Sequence, residues 1–148
     1  MNKNRIKIIN CKIFHMYSDN DDQTKFLNRV ILDLKKNKKE IKLTKCNQKI
    51  DFINYKDVAS AIRVILTNIL EKNKVKNNLE IGSGNSIELR KLILYFKKKL
   101  KSKSKLNFGF YKKRIGEKKA YAANTNNLEN INWKLNYKGY KGFDLLLK

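Results

Sequence analysis

Apolar residues along the chain follow two rhythms in alternation, one of short dense runs and one of helical spacing. Ile6 to Phe14 (IKIINCKIF) is isoleucine-rich, broken by Lys7, Asn10 and Lys12, and reads as a β-strand. The polar cluster Asp19 to Asp22 reads as a turn. It can cap a helix from about Thr24 to Leu34 that carries Phe26, Val30, Ile31 and Leu34 on one face. Two extended stretches follow, Glu40 to Thr44 and Lys49 to Tyr55. Asp57 is placed to N-cap a second helix, running to about Leu70, whose apolar stripe is Val58, Ile62, Ile65 and Ile69. Asn78 to Ile81 is a short strand entering Gly82-Ser83-Gly84. Asn85 or Ser86 then caps a third helix carrying Leu89, Leu92, Ile93, Phe96 and Leu100. Lys97 to Lys105 reads as a solvated helix end and loop, and Leu106 to Lys148 as short strand-like pieces around the only tryptophan, Trp133. Strands alternating with helices predict an α/β protein.

Composition narrows the picture. A chain of 148 residues, 41% hydrophobic and 10% aromatic, can bury a core and suits a single domain. Cys11 and Cys46 cannot make a disulfide framework, and one histidine, His15, excludes a multi-histidine metal site. No apolar run approaches the ~20 residues of a membrane span, so a cytoplasmic chain without a membrane partner is expected.

The net charge of +22 has two readings. Lysine supplies 30 of the 35 basic residues, asparagine occurs 20 times and proline is missing, a pattern that an A/T-rich genome produces through its codons. The other reading is a nucleic-acid surface, since clustered basic charge binds phosphate. Such a surface would draw on arginine for its bidentate fork, and only Arg5, Arg29, Arg63, Arg90 and Arg114 are present. Nucleic acid is therefore the disfavoured partner.

The glycine turn invites a cofactor reading. A dinucleotide fingerprint needs G-x-G-x-x-G, and Ile87 stands at the third glycine position. The region some twenty residues on, where an acidic ribose ligand belongs, is lysine. A tight strand-to-helix turn is the better expectation.

Five segments in order carry a family resemblance. Lys12-Ile13-Phe14-His15-Met16-Tyr17-Ser18 is similar to R-x-F-N-V-Y-G, and Gln48 to Ala59 (QKIDFINYKDVA) to Q-x-R-D-F-I-Y-V-D-D-V-A. Asn78 to Gly84 (NLEIGSG) resembles Y-N-I-G-S-G, and Arg114-Ile115-Gly116-Glu117 resembles R-x-G-D/E. Asn132-Trp133-Lys134 through Gly142 looks like L-G-W-x-P with the E-E-G-L helix start. Together they resemble the C-terminal half of the extended short-chain dehydrogenase/reductases, the NAD-dependent epimerase/dehydratase family acting on nucleotide sugars.

The resemblance implies the C-terminal part of a Rossmann-like extended fold: the last parallel strands and helices plus a small α/β substrate-binding subdomain. On that reading residues 1–105 supply terminal strands and helices with part of the substrate subdomain, and 106–148 the rest of that subdomain. It implies that Arg114 binds the diphosphate of a nucleotide sugar, that Glu117 accepts hydrogen bonds from the ribose, and that His15 and Phe52 belong to the same substrate site. Read from the residues alone, Arg114 is a solvent-facing charge or a local ion pair with Glu117, His15 a half-buried structural histidine, and Trp133 most simply a core anchor whose indole needs a partner.

Some positions depart from the family pattern. Ile50 stands where many members carry a second diphosphate-binding arginine, Ser18-Asp19 replaces a Gly-Pro turn, and Asn132 replaces the glycine before Trp133. The family's G-x-x-G-x-x-G loop, Tyr-x-x-x-Lys pair and Ser/Thr lie before the first matching segment. The string Tyr137 to Lys141 is in the wrong place to substitute. The expectation is a nucleotide-sugar-binding portion that is catalytically incomplete alone and binds no cofactor by itself. NAD or NADP would serve the complete enzyme, and a separate N-terminal cofactor-binding half is the expected protein partner. The alternatives are a non-catalytic binding protein of the same descent and a basic nucleic-acid binder.

Overall fold

The structure, a computed structural model, describes residues 6–112 and 121–148. Strands β1 (Asn10–Ile13) and β2 (His15–Tyr17) are followed by helix α1 (Phe26–Lys35), β3 (Glu40–Leu43) and β4 (Lys49–Asn54). Helix α2 (Tyr55–Leu70) leads to β5 (Asn78–Ile81) and β6 (Ser86–Glu88), then helix α3 (Leu89–Lys99) and β7 (Lys105–Phe108). A one-turn helix α4 (Asn126–Glu129) and a 3-10 helix (Tyr140–Leu147) complete the described elements.

The alternation read from the sequence produces parallel pairing. Strands β1 and β5 pair in parallel with Cys11 opposite Leu79, β2 and β4 with His15 opposite Phe52, and β3 and β7 with Ile41 opposite Leu106. One antiparallel contact, Ile50 opposite Ile87, adds β6 to β4. The amides of Asn10 and Phe14 both donate toward β5, to Asn77 and Ile81. Backbone groups alternate sides along a strand, so those of Cys11 and Ile13 face the outer edge of β1, where no strand pairs among the described residues.

Two clusters form the core. In the first, Val30, Ile31 and Leu34 of α1 meet Leu92, Ile93 and Phe96 of α3, over Ile41 and Leu43 of β3 and under Phe143 of the 3-10 helix. In the second, Val58, Ala61 and Ile65 of α2 pack on Ile53, Leu79 and Ile81, with Leu128, Ile131 and Trp133 closing the far side. Trp133 is 3% exposed and its indole donates to Ser60 Oγ at 2.9 Å, the partner that a buried indole requires.

Several local expectations are corrected. The strand expected from Ile6 to Phe14 is only four residues long, and Ile6 and Ile8 lie 88% and 76% exposed, because nothing among the described residues covers that end. Asp57 is not the cap of α2. Asn54 holds that place, its side chain accepting from the Lys56 amide at 2.9 Å, while Asp57 sits fully buried in the first turn. Ala61 replaces Ile62 in the buried stripe of α2, Ile62 being 41% exposed. The glycine turn leads into β6, not into a helix, because Ser86 to Glu88 finds an open edge on β4. Helix α3 consequently starts at Leu89 with no side-chain cap.

Candidate functional site

A cavity of about 870 Å³ opens between β2, β4, the start of α1 and the end of β3. Two of the four residues expected at a substrate site meet there. His15 and Phe52 are register partners on β2 and β4, their rings edge-on with centroids 6.0 Å apart, and both line this cavity. Parallel pairing of two short strands puts them side by side, although 37 positions separate them in the chain. The exposed His15 is no structural core histidine. Arg114 and Glu117 lie outside the described residues, and the cavity rim runs up to Lys112, two residues before Arg114.

The lining is basic. Lys25, Arg29, Lys42 and Lys112 contribute four cationic side chains against one carboxylate, Asp21, and Asp21 already pairs with Lys25 at 2.5 Å. A phosphate entering this cavity meets uncompensated positive charge, which partial enclosure strengthens relative to open water. Ile50, at the position where many members carry an arginine, forms part of the apolar wall and adds no charge. Tyr111, half exposed at the rim with its ring edge-on to Phe110, offers a flat face to a base or ring.

Tyr17, missed as a site residue, lines this cavity and a second one. Its hydroxyl donates to the Gly142 carbonyl at 3.0 Å, and burial pushes the phenol far above its ordinary pKa. It therefore stays protonated near neutrality. The signal for it was present: the residue lies inside the HMYS segment.

Two buried carboxylates were also missed as architecture. Asp51 is 1% exposed and accepts from the amides of Ser83 (2.8 Å), Gly84 (3.1 Å) and Ala123 (2.9 Å) and from Ser83 Oγ (2.6 Å). Asp57 accepts from the amides of Asn136 and Tyr137, both at 3.0 Å, and from Asn136 Nδ2 at 3.1 Å. Each ties a distant C-terminal segment to the strand or helix on which it stands. Asp51 stands at a motif position that the sequence alone left without a role, and Asp57 at one read there as a helix cap.

This arrangement tests the turn as a cofactor site. The amides that a phosphate-binding glycine turn would offer are donated to Asp51, and a Cβ at Gly82 would stand 2.8 Å from Asp51 Oδ2 and 2.5 Å from Ala123 Cβ. Gly82 is small because Ala123 and Asp51 crowd it. The turn does not fit a dinucleotide phosphate, and no chemical step runs through one here. Among the described residues, no helix is long and apolar enough to cross a membrane.

Comparison with known proteins places these features. The pattern of the NAD dependent epimerase/dehydratase family matches residues 1–82. CDP-abequose synthase of Salmonella muenchen is 34% identical over 139 residues, covering 94% of this chain and 46% of that protein. The structure of RMD from Pseudomonas aeruginosa complexed with NADPH superposes with a TM-score of 0.78 at 13% identity, over 95% of this chain and 47% of the other. MoeE5, solved in complex with UDP-glucose and NAD, gives a TM-score of 0.77 at 15% identity, over 93% and 44%. The chain spans about half the length of the relatives it matches, and its parallel strands and helices correspond to one half of these Rossmann-like structures. With the family pattern covering more than half of its residues and a relative 34% identical over 94% of it, the chain belongs to the NAD dependent epimerase/dehydratase family.

Proposed function

We propose that the chain is the nucleotide-sugar-binding portion of an NAD(P)-dependent sugar-nucleotide epimerase, dehydratase or reductase. The observation that carries this reading is the 870 Å³ basic cavity in which His15 and Phe52 meet. The cavity is large enough for a nucleoside diphosphate sugar. Its cationic lining suits the diphosphate, with His15 able to donate from a ring nitrogen and Phe52 giving an apolar floor. Arg114 adds the planar fork that lysine cannot supply, and Glu117 accepts from the ribose. The likeness to CDP-abequose synthase makes a cytidine diphosphate sugar the first ligand to try.

In this role the chain's residues bind and orient. No G-x-x-G-x-x-G loop occurs in the 148 residues. The base and the hydride carrier's site come from a cofactor-binding half that adds its last strand to the outer edge of β1. The unpaired groups of Cys11 and Ile13 and the exposed Ile13 and Met16 support that placement. Without that half the chain binds and does not turn over.

Calorimetric titration with CDP and a CDP-hexose at two salt concentrations tests the reading. A charge-assisted hydrogen bond contributes roughly 1.5–3 kcal/mol. Arg114→Ala should therefore weaken binding by about one to two powers of ten, since ~1.4 kcal/mol is a factor of ten. Arg114→Lys should recover only part of the loss. Equal small losses in Arg114→Ala and a Lys101→Ala control would show a diffuse field and no site, which is also the outcome a nucleic-acid binder would give.

A further inference from the structure

A second cavity, of about 610 Å³, shares only Tyr17 and Phe52 with the first. Its other walls come from the 83–87 turn, from residues 125–139 and from Phe143. These walls are fixed from behind. Asp51 holds Ser83 and Gly84, and Asp57 holds Asn136 and Tyr137. Trp133 is held by Ser60, and its amide donates to the Leu128 carbonyl at 3.0 Å. At Gly139, φ 55°, no atom stands within 4 Å of where a Cβ would be, so that wall is open space. Two buried carboxylates thus anchor two of the segments that line one cavity.

The lining chemistry has a definite character. Aromatic rings of Phe52 and Tyr137 stand with the amides of Asn85 and Asn132, while the Thr125 hydroxyl, its proton given to Glu129, is left as an acceptor. Flat apolar rings beside groups that both donate and accept match a sugar ring, which has apolar C–H faces and a belt of hydroxyls. Lys134 and Lys138 bring two cations against one carboxylate, Glu129, and that carboxylate is already engaged by Thr125 Oγ1 at 2.6 Å. The balance calls for an anionic group on the sugar.

We propose that this cavity is a binding site for an anionic monosaccharide, its ring against Tyr137 and Phe52 and its phosphate or carboxylate on Lys134 and Lys138. The site is separate from the nucleotide cavity and goes beyond the function proposed above.

Trp133, the only tryptophan, lines this cavity and not the first, so its fluorescence reports on this site alone. The full chain is titrated with glucose 1-phosphate, glucuronate and glucose. Both anionic sugars should give a saturable change in Trp133 emission, and which binds more tightly tells phosphate from carboxylate. Glucose should bind about tenfold more weakly, as should either anionic sugar to the exposed-site variant Lys138→Glu. Thermal melting confirms that the variant is folded, and Lys134→Ala repeats the test if it is not. CDP should not displace the sugar. The proposal fails if neither anionic sugar gives a saturable change, if folded Lys138→Glu and Lys134→Ala bind as the parent does, or if CDP competes. Because the readout does not depend on nucleotide binding, a failure here is distinct from a failure of the nucleotide-sugar reading.

Discussion

Replacing Asp51 by alanine removes four hydrogen bonds at one stroke. The amides of Ser83, Gly84 and Ala123 and the Ser83 hydroxyl all converge on this carboxylate, which is 1% exposed, at 2.6–3.1 Å. The hydroxyl can turn to the Asn85 carbonyl, 2.9 Å away, so the three amides set the cost. An orphaned buried donor costs about 1–3 kcal/mol, and partial relaxation argues for the lower half of that range. The sum, about 3–6 kcal/mol, is a large share of the ~5–15 kcal/mol by which a domain is stable. Asp51→Asn should cost less, about 2–4 kcal/mol, because one acceptor oxygen survives while an NH2 group faces donors. Urea unfolding followed by circular dichroism measures the loss as a fall in midpoint at unchanged slope. Amide exchange at Ser83, Gly84 and Ala123 should accelerate more than in β3. Ile50 and Phe52, the chain neighbours of Asp51, line the basic cavity, so on the function proposed for it affinity for CDP should fall with stability. A loss below ~1 kcal/mol in Asp51→Ala would refute the reasoning, because it would mean that water can take the carboxylate's place.

Gly82→Ala drives a methyl to 2.5 Å from Ala123 Cβ and should lower the melting temperature by an amount worth about 1–3 kcal/mol, whereas an unchanged melt would show that residues 121–125 yield freely. The Tyr95 hydroxyl, and then Lys99 at 3.2 Å, hold the Asp144 carboxyl below its ordinary pKa. A depressed carboxylate stabilises the fold above its unfolded value of about 3.9 and loses that contribution as pH falls through the folded value. Acid should therefore loosen the 3-10 helix from α3, and Asp144→Asn should flatten that part of the acid limb. Glu80, held low by the Tyr121 hydroxyl and the Asn124 amide, and Asp22, held low by Thr24, would keep the remainder. An acid limb identical in the variant would show that the Tyr95–Asp144–Lys99 contact contributes nothing.

What the sequence determined by itself was the alternation and the membership. Helical spacing placed Val30, Ile31 and Leu34, and Leu89, Leu92, Ile93 and Phe96, on buried faces, because a helix has to bury one face and local periodicity records which. Motif order was enough to indicate the family, whereas only the parallel register of β2 and β4 set His15 beside Phe52. Tertiary structure decided what depends on groups far apart in the chain. Asp57 looks like a cap in its own neighbourhood, but its partners Asn136 and Tyr137 lie some eighty positions away, and Asn54 does the capping. Gly82-Ser83-Gly84 looks like a turn into a helix. It leads instead into β6, because β4 offers an edge that no local rule foresees, and its amides go to a carboxylate 32 positions upstream. Local propensity is written residue by residue, whereas the partner of a buried charge or a strand edge exists only once distant segments have met.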